Sequence, residues 1–212
     1  MTAVASAHPT AGLAAEGVEA RAIEATLACI ARHGLSKTTI DDIAREAGCS
    51  RATLYRYFGG KQDLVRRVVR AETERVTADC HAAAADAATL EDAVVAVLLV
   101  AGREVTQNPA LRFVADHECE ILLPHLTFAG GDRFLADASL AIAPCLEPFV
   151  PRDASRAAEW VARLGLALWL SPTAPVSLHD ADELRAYVRE FIVPAIRPDA
   201  HEPSLTLDPT GR

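Results

Sequence analysis

The stretch from Thr39 to Lys61 constrains the fold of this chain more than any other part of the sequence. It reads TIDDIAREAGCSRATLYRYFGGK and contains two short helical patterns on either side of Gly48. Thr39, with Asp42 three residues later, has the pattern of a capping box, which starts a helix. Gly48 suits the left-handed conformation that ends a helix, and Ser50 is a favoured cap for the next one. The stretch therefore predicts two short helices joined by a tight turn.

The apolar residues of this region indicate how its helices pack. The first short helix places Ile40, Ile43, Ala44 and Ala47 on one face, and the second directs Leu54 inward. A preceding helix over 18–33 carries a stripe of Ile23, Leu27, Ile30 and Ala31. We predict a three-helix unit with a core of Ile23, Leu27, Ile30, Ile40, Ile43 and Leu54. Two of its helices form a helix-turn-helix, whose second helix can enter the major groove of DNA.

The composition favours helices along the whole chain. Half of the 212 residues are apolar when alanine is included. Alanine favours helices, and no alternating β-branched run of the kind typical of strands is present. We predict an all-α fold of about nine helices. Beyond the first three, helices are expected at 61–84, 90–107, 110–123, 132–143, 154–170 and from Asp180 onward, with a loop over 127–131.

Four parts of the chain are expected to differ in order. Residues 1–17 lack apolar periodicity and residues 197–212 contain three prolines, so both are predicted to be disordered. Residues 18–62 form the predicted helix-turn-helix domain, and residues 63–196 form a larger helical domain. Within the latter, 172–175 is a proline-bounded linker, and Asp180 with Glu183 resembles a capping box for the last helix.

The distribution of charge separates the two predicted domains. The net charge of the chain is −8, which by itself argues against a nucleic-acid binder. Between Arg32 and Arg70, however, nine basic residues stand against four acidic ones, a net charge of +5, so the rest of the chain carries −13. A basic segment beside an acidic body suggests a module that contacts DNA joined to a domain that does not.

Several other classes of protein are excluded by simple patterns. The five cysteines are odd in number and lack C-x-x-C spacing, which fits a reducing cytosol rather than disulfides or a zinc site. The first residues lack the pattern of a signal peptide, and the longest apolar run, 93–101, is too short to span a bilayer. No catalytic nucleophile with its base, glycine-rich phosphate loop or HExxH motif is present. We therefore expect a cytoplasmic, non-enzymatic protein without cofactor, metal or membrane contact.

The sequence of the helix-turn-helix resembles the TetR family of bacterial one-component repressors. The resemblance rests on three runs, namely Thr39-Ile-x-x-Ile-Ala-x-x-Ala-Gly, Ser50-x-x-Thr-Leu-Tyr-x-Tyr-Phe and Lys61-x-x-Leu. It covers residues 18–70, and beyond them only the number and order of helices are similar. Gly60 departs from the family, which usually has Ser, Asn or Asp as the cap at this position. Glycine can serve there with a modest loss.

The resemblance also implies a homodimer. The last two long helices carry the aromatic residues Trp160, Trp169, Tyr187 and Phe191, for which an internal core is the simpler explanation. Two long terminal helices with apolar faces also suit a four-helix interface between two copies of the chain. The two-fold symmetry of such a dimer would match a palindromic operator in double-stranded DNA.

Ten residues are candidate DNA contacts by their chemistry, with the resemblance in support. Hydroxyls, an ammonium and helix N-termini suit phosphate oxygens, which indicates phosphate contacts by Thr39, Thr53, Tyr55, Tyr57 and Lys61. Arg51 begins the recognition helix, where it could contact either guanine or a phosphate, and Ser50 and Ala52 lie beside it. Arg45 and Arg56 could contact phosphates or remain solvated.

A ligand site in residues 63–196 is predicted only from apolar periodicity. Mostly apolar walls with a few polar groups are typical of such a site. The candidates are Val97, Ala101, Val105, Phe113, His117, Phe128 and Phe134. In this interpretation His117 faces inward and orients a small apolar molecule.

A run of potential metal ligands lies in the same region: Asp116, His117, Glu118, Cys119, Glu120 and His125. Consecutive residues of a helix diverge by about 100°, so only pairs such as Asp116 with Glu120, or His117 with Glu120, share a face. Such pairs make at most a partial metal site, and a solvated acidic face is the simpler interpretation.

Together these patterns predict a ligand-responsive, DNA-binding transcriptional regulator. Its expected action is that of a repressor that a small apolar molecule releases from a palindromic operator. The alternative is a small-molecule binding or carrier protein that has lost DNA binding, against which the basic helix-turn-helix argues.

Overall fold

A computed structural model describes residues 9–170 and 176–196, with the side chains of residues 9–16, 105 and 128–130 excepted. These residues form helices and no strands, which confirms the predicted all-α fold. In chain order the helices are α1 (Pro9–His33), α2 (Ile40–Glu46), α3 (Arg51–Phe58), α4 (Lys61–Ala84), α5 (Leu90–Gln107), α6 (Pro109–His117), α7 (Cys119–Leu126), α8 (Phe128–Leu146), α9 (Ala154–Leu170), α10 (Ala181–Tyr187) and α11 (Val193–Ile196). A π-helical turn, Val188–Ile192, joins α10 to α11. Among the described helices, none combines the length and the hydropathy that crossing a bilayer requires.

The first of two compact units contains the described residues up to Arg75 together with Val105–Gly130. Its core joins α1, α2, α3 and the beginning of α4 through Ala22, Ala25, Cys29, Ile40, Ile43, Ala44, Ala47, Leu54, Leu64 and Val68. Ile30 is also buried, as predicted. Ile23 and Leu27 are only partly buried at the edge of this core, because the small residues Ala22, Ala25 and Cys29 occupy the buried positions of α1.

Local capping explains where α2 and α3 begin. Thr39 Oγ1 accepts a hydrogen bond from the amide of Asp42 at 3.2 Å, and Asp42 Oδ2 accepts one from the amide of Thr39 at 3.1 Å, so the predicted capping box is present. Ser50 Oγ accepts a hydrogen bond from the amide of Thr53 at 3.1 Å. Gly48, in the turn between the two helices, has the predicted positive φ of 64°. Both short helices are thus fixed by neighbours in the sequence.

The first helix is longer than predicted. α1 begins at Pro9, so residues 9–17 are helical where the sequence predicts disorder. Proline is tolerated in the first turn of a helix, and the alanines that follow have the highest helix propensity, which needs no apolar stripe. Residues 1–8, the predicted tail 197–212 and the predicted linker 172–175 lie outside the described residues.

The segment after α5 differs most from the prediction. In place of one helix over 110–123 the chain forms α6 and α7, which are separated at Glu118, whose φ of −135° and ψ of 37° are not helical. Pro124 lies inside α7 and does not end it. The predicted loop over 127–131 is reduced to Thr127, because α8 already begins at residue 128 and continues past Pro144. Prolines at these positions each remove one backbone donor, but the turns that follow them remain helical.

The second compact unit contains Val76–Glu104 and the described residues from Gly131 onward. Its central helix is α5, whose apolar side chains are buried on nearly all sides, as predicted from Val94, Val95, Val97, Leu98 and Val100. Ion pairs join α10 and the π-helical turn to the start of α5. Arg185 Nη1 lies 2.6 Å from Asp92 Oδ1, and Arg189 Nη2 lies 2.8 Å from Glu91 Oε1. Hydrogen bonds from Arg189 and Arg185 lower the pKa of Glu91.

Two features of α10 and α9 differ from the prediction. Asp180 caps α10 by accepting hydrogen bonds from the amides of Asp182 and Glu183, but the Glu183 carboxylate accepts a hydrogen bond from Ser177 and not from Asp180. Only half of the expected capping box is therefore present. The side chain of Trp160, expected on the inner face of α9, is 48% exposed, because the buried face of that helix is formed by Ala154, Ala157, Ala158, Val161 and Ala162.

Candidate nucleic-acid interface

Helix α3 buries one large side chain and exposes most of the others. Leu54 is fully buried, whereas Tyr55 is 47% exposed and Tyr57 is 41% exposed. The remaining exposed side chains of this helix are Arg51, Ala52 and Arg56. Phenolic hydroxyls and guanidinium groups suit the anionic oxygens of a nucleic-acid backbone, and arginine also suits guanine. The outer surface of α3 therefore has the chemistry that the sequence predicts for a recognition helix.

Arg51, the candidate base contact, is paired with Asp41 of α2. Arg51 Nε lies 2.7 Å from Asp41 Oδ1, and Arg51 Nη1 donates to Asp41 Oδ2 at 3.2 Å. Both side chains are about half exposed, and exposed ion pairs contribute little to stability. A base or a phosphate can therefore compete with Asp41 for the guanidinium. Asp41 is not among the residues that the sequence predicts for this surface, because only the turn between α2 and α3 brings two residues ten positions apart together.

The hydroxyl residues among the candidates also fix helix ends. Thr39 Oγ1 donates to Asp42 Oδ2 at 2.6 Å, in addition to its capping bond. Ser50 Oγ lies 2.9 Å from Thr53 Oγ1. Thr39 and Ser50 are exposed and Thr53 is half-buried, so the first turns of α2 and α3 begin at the surface. Exposed helix N-termini present backbone amides to anions such as phosphate.

Two further candidate arginines lie at the surface with neighbours of different kinds. Arg45 Nη1 donates to Asp42 Oδ1 at 3.2 Å. The guanidinium carbon of Arg56 lies 5.2 Å from the ring centroid of Tyr57, within the range of a cation–π contact. Both positions are compatible with the two interpretations that the sequence leaves open, a phosphate contact or a solvated charge.

Lys61, the remaining candidate, contacts the α1–α2 loop, by which we mean residues 34–38. Its Nζ donates to the carbonyl oxygen of Leu35 at 2.7 Å and to that of Ser36 at 3.3 Å. An ammonium group has three donor hydrogens, so these contacts still leave capacity for a phosphate oxygen. Lys61 therefore also connects the start of α4 to the loop that precedes α2.

The same loop is held from its other side by Glu118, at the junction of α6 and α7. Glu118 Oε2 accepts a hydrogen bond from the amide of Leu35 at 2.6 Å, and Oε1 accepts one from the amide of Ser36 at 3.0 Å. Only 8% of the residue is exposed. The interpretation of residues 116–120 as a solvated acidic face is therefore wrong for Glu118, although Asp116 and Glu120 are exposed.

Gly34 allows this approach of Glu118 to the loop. Its φ is +82°, and a Cβ at this position would lie 2.7 Å from Glu118 Oε1 and 2.7 Å from Phe113 Cε1. A side chain here would meet both backbone strain and a steric clash. The glycine after α1 is thus the one sequence signal that could have pointed to a close neighbour, but it does not identify Glu118.

The ionisation of Glu118 reflects its surroundings. Burial by itself raises the pKa of the carboxyl group, but hydrogen bonds from Ser36 and Leu35 and the positive charge of Lys61 outweigh burial, so the pKa is lowered. The carboxylate is therefore charged at neutral pH and has fixed partners. Within the described residues no group of three or more His, Cys, Asp or Glu side chains could hold a metal ion.

The candidate ligand residues do not form one described site. Phe113 and His117 belong to the first compact unit, where their rings stack with centroids 4.6 Å apart. His117 is exposed, and its Nδ1 lies 3.2 Å from the carbonyl oxygen of Phe113, so the inward-facing interpretation of this residue is wrong.

The other ligand candidates are distributed differently. In the second unit Val97 is buried, Ala101 is partly buried and Phe134 is exposed. The side chains of Val105 and Phe128 lie outside the described residues. The ligand site therefore stays a prediction.

Comparison with known proteins identifies a family model and several similar transcriptional regulators. The family model described as bacterial regulatory proteins, tetR family, matches residues 22–68. An uncharacterised HTH-type transcriptional regulator of Mycobacterium tuberculosis is 32% identical over 163 residues, which is 75% of each chain. The HTH-type transcriptional regulator BetI of Agrobacterium fabrum is 41% identical over 61 residues, 29% of this chain and 30% of that protein.

Similar solved structures extend over most of the chain. The TetR family repressor AlkX from Dietzia sp., implicated in the biodegradation of n-alkanes, has a TM-score of 0.62 at 23% identity and covers 85% of this chain and 95% of its own. A transcriptional regulator from Saccharomonospora viridis in complex with choline has a TM-score of 0.54 at 19% identity, with coverages of 84% and 98%. At these identities the two structures show that the fold is shared, including the helices beyond the helix-turn-helix.

Proposed function

Since this chain belongs to the TetR family of bacterial transcriptional regulators, and is therefore a DNA-binding regulator, we propose that it is a repressor released from a palindromic operator by a small apolar ligand. The observation that carries the proposal is the outer surface of α3. Leu54 anchors this helix to the core, while the exposed Arg51, Tyr55 and Tyr57 supply groups for bases and phosphates.

The proposed DNA contacts divide by their chemistry. Arg51 contacts a guanine edge from the first turn of α3, and Ser50 and Ala52 lie next to that base. Phosphate contacts come from Thr39, Arg45, Thr53, Tyr55, Arg56, Tyr57 and Lys61. Binding replaces the Asp41–Arg51 ion pair by a contact with DNA, and breaking an exposed ion pair of this kind costs little.

Proteins of this family typically dimerise, and we propose that the last helices form the interface here. Trp160 on α9 is 48% exposed and Phe191 in the π-helical turn is 53% exposed. Aromatic side chains of this size are normally covered, and they are enriched at protein–protein interfaces. A two-fold dimer would place two copies of α3 about 34–36 Å apart, one turn of DNA, or at another spacing that the operator sets.

The ligand would act by favouring a state in which the two recognition helices no longer match that spacing. We propose that this ligand is a small apolar molecule and that it binds in the second compact unit, where Val97, Ala101 and Phe134 are the candidate contacts. Coupling of this kind is typically about 1–3 kcal/mol, which changes DNA affinity about 5- to 150-fold.

The DNA half of the proposal is tested with a palindromic duplex that the wild-type protein selects from a random-sequence pool. Fluorescence anisotropy should show binding that weakens steeply with salt, because phosphate contacts release counterions.

Arg51→Ala should cost about 1–3 kcal/mol of DNA-binding free energy and relax the preference at one base pair of each half-site. Tyr57→Phe should weaken binding to cognate and mutated duplexes alike, because a phosphate contact carries no sequence information. Failure to select any duplex would contradict the proposal.

The dimer and the ligand are tested separately. Light scattering should give twice the chain mass for the wild-type protein, and the double variant Trp160→Glu with Phe191→Glu should give the monomer.

A panel of small apolar compounds is then titrated into the protein–duplex complex, and at least one should release the DNA. A complex that resists every compound in the panel would leave the DNA-binding half standing and contradict the ligand-responsive half.

A further inference from the structure

The α1–α2 loop is stabilised by hydrogen bonds within the loop and by two side chains from outside it. The carbonyl oxygen of Gly34 accepts hydrogen bonds from Thr38 Oγ1 at 2.6 Å and from its amide at 3.2 Å. The amides of Leu35 and Ser36 are bound by Glu118, and their carbonyl oxygens by Lys61. The backbone of this loop is thus bound by two side chains of opposite charge, and partly buried backbone groups require such partners.

The position of Glu118 in the chain is equally defined. Its amide donates to the carbonyl oxygen of Val114 at 2.9 Å and ends α6, and its carbonyl oxygen accepts from the amide of Ile121 at 2.9 Å at the start of α7. Its carboxylate therefore extends from a fixed backbone. The segment that carries it continues along the chain into the second compact unit at both ends, at Glu104 and at Gly131.

The loop ends directly before Thr39, the first residue of the proposed DNA-contacting surface. Thr38 is buried and Thr39 follows as the exposed cap of α2. Lys61, which is bound to the same loop, is the first residue of α4. We propose that Glu118 is a positioning residue for DNA binding, which sets the first turn of α2 and the ammonium group of Lys61 against the phosphates by fixing the α1–α2 loop. This role rests on the proposed function and adds to it a residue outside the helix-turn-helix.

The positioning role and the negative charge of Glu118 predict opposite changes in DNA affinity when the residue is replaced. Glu118→Gln removes one negative charge, and by charge alone it should strengthen binding to DNA. The amide of glutamine offers one acceptor oxygen where the carboxylate offers two, so one of the two loop amides loses its partner. We expect Glu118→Gln to weaken binding of the selected duplex about tenfold or more, since hydrogen bonds to a charged acceptor are stronger than neutral ones.

The matched control is Glu120→Gln, which removes the same charge from an exposed position two residues further along. It should leave affinity for the duplex unchanged or slightly raised. Amide hydrogen exchange, read by NMR in the absence of DNA, should be faster at Leu35 and Ser36 in Glu118→Gln and unchanged in Glu120→Gln. Weaker DNA binding together with faster exchange at these two amides, in a variant that remains folded, is the result expected.

Two results would overturn the positioning role. One is a Glu118→Gln variant with faster exchange at the loop but wild-type affinity for the duplex, and the other is unchanged exchange at Leu35 and Ser36. If Glu118→Gln does not fold, Glu118→Asp takes its place, since it keeps the charge and shortens the reach, and it should show the same two changes. A wild-type protein that selects no duplex would instead refute the proposed function, while the exchange data would still report on the contact itself.

Discussion

The helix-turn-helix and the α6–α7 segment are both pairs of short helices, but interactions of different range define them. The caps of α2 and α3 join residues three positions apart, Thr39 with Asp42 and Ser50 with Thr53. The junction of α6 and α7 is occupied by Glu118, whose hydrogen-bond partners lie 82 and 83 residues earlier in the chain. The first pair is therefore specified by its own sequence, and the second requires the folded surroundings.

The largest expected effect tests whether local caps are sufficient in the first pair. Leu54→Ala empties a fully buried position, and we expect a loss of about 2–5 kcal/mol in the free energy of unfolding by urea. The control is Leu123→Ala on α7, where the side chain is 43% exposed and the loss should stay below about 1 kcal/mol. A small loss of unfolding free energy for Leu54→Ala would mean that the caps alone stabilise α3.

A second pair of variants isolates the long-range contact. Gly34 and Gly48 both have positive φ, at 82° and 64°, so alanine is strained at each. At Gly34 the added Cβ also meets the side chains of Glu118 and Phe113, whereas at Gly48 nothing lies within 4 Å.

We expect Gly48→Ala to cost about 1 kcal/mol, and Gly34→Ala clearly more, about 2–4 kcal/mol. Chemical denaturation measures both. The losses of Gly34→Ala and Glu118→Ala should be less than additive in the double variant, because the second substitution removes the clash with Glu118 while that with Phe113 remains. Equal losses of unfolding free energy at the two glycines would mean that the close contact of Gly34 with Glu118 and Phe113 adds nothing to the backbone strain.

Helix caps should contribute equally to the stability of the helix-turn-helix and of the α6–α7 segment. Thr39 caps α2, and Asn108 caps α6 by accepting from the amides of Ala110 and Leu111, both at 3.1 Å. Thr39→Ala and Asn108→Ala should each cost about 1 kcal/mol of unfolding free energy. A much larger loss for Asn108→Ala would indicate that its additional contact, from Nδ2 to Glu72 Oε2 at 3.0 Å, matters more than the cap.

The smallest effect concerns pH. The folded protein lowers the pKa of Glu118, so its contribution to stability is present above the pKa of the unfolded chain, about 4.3 for a glutamate, and is lost as the pH falls through the lower folded value. Wild-type protein should therefore lose more stability than Glu118→Gln between neutral pH and about pH 3.5. Parallel curves for the two proteins in urea titrations would contradict a charged, partnered Glu118.

These differences explain which features the sequence predicts. The capping box, the glycine turn and the inward Leu54 depend on neighbours in the chain, and each is present as predicted. The boundaries of α4, α5 and α9 also agree with the sequence, because apolar periodicity and flanking Gly or Pro define them.

The features that the sequence fails to predict depend on distant partners. The break at Glu118 and the pairing of Asp41 with Arg51 arise only when separate helices come together. The prediction of an inward His117 failed for a related reason. Its ring stacks on Phe113 from the exposed side, and periodicity alone cannot distinguish the two sides of a short helix.

The chain passes between the two compact units three times, after Arg75, after Glu104 and after Gly130. The family match, residues 22–68, lies entirely before the first of these passages. A gene fragment ending after Arg75 would encode every proposed DNA contact, yet it would lack the acceptor for the amides of Leu35 and Ser36. Residues up to Arg75 alone would therefore carry the proposed DNA contacts without the carboxylate that binds the α1–α2 loop. That carboxylate follows in the chain only after Val76–Glu104, which belong to the second compact unit.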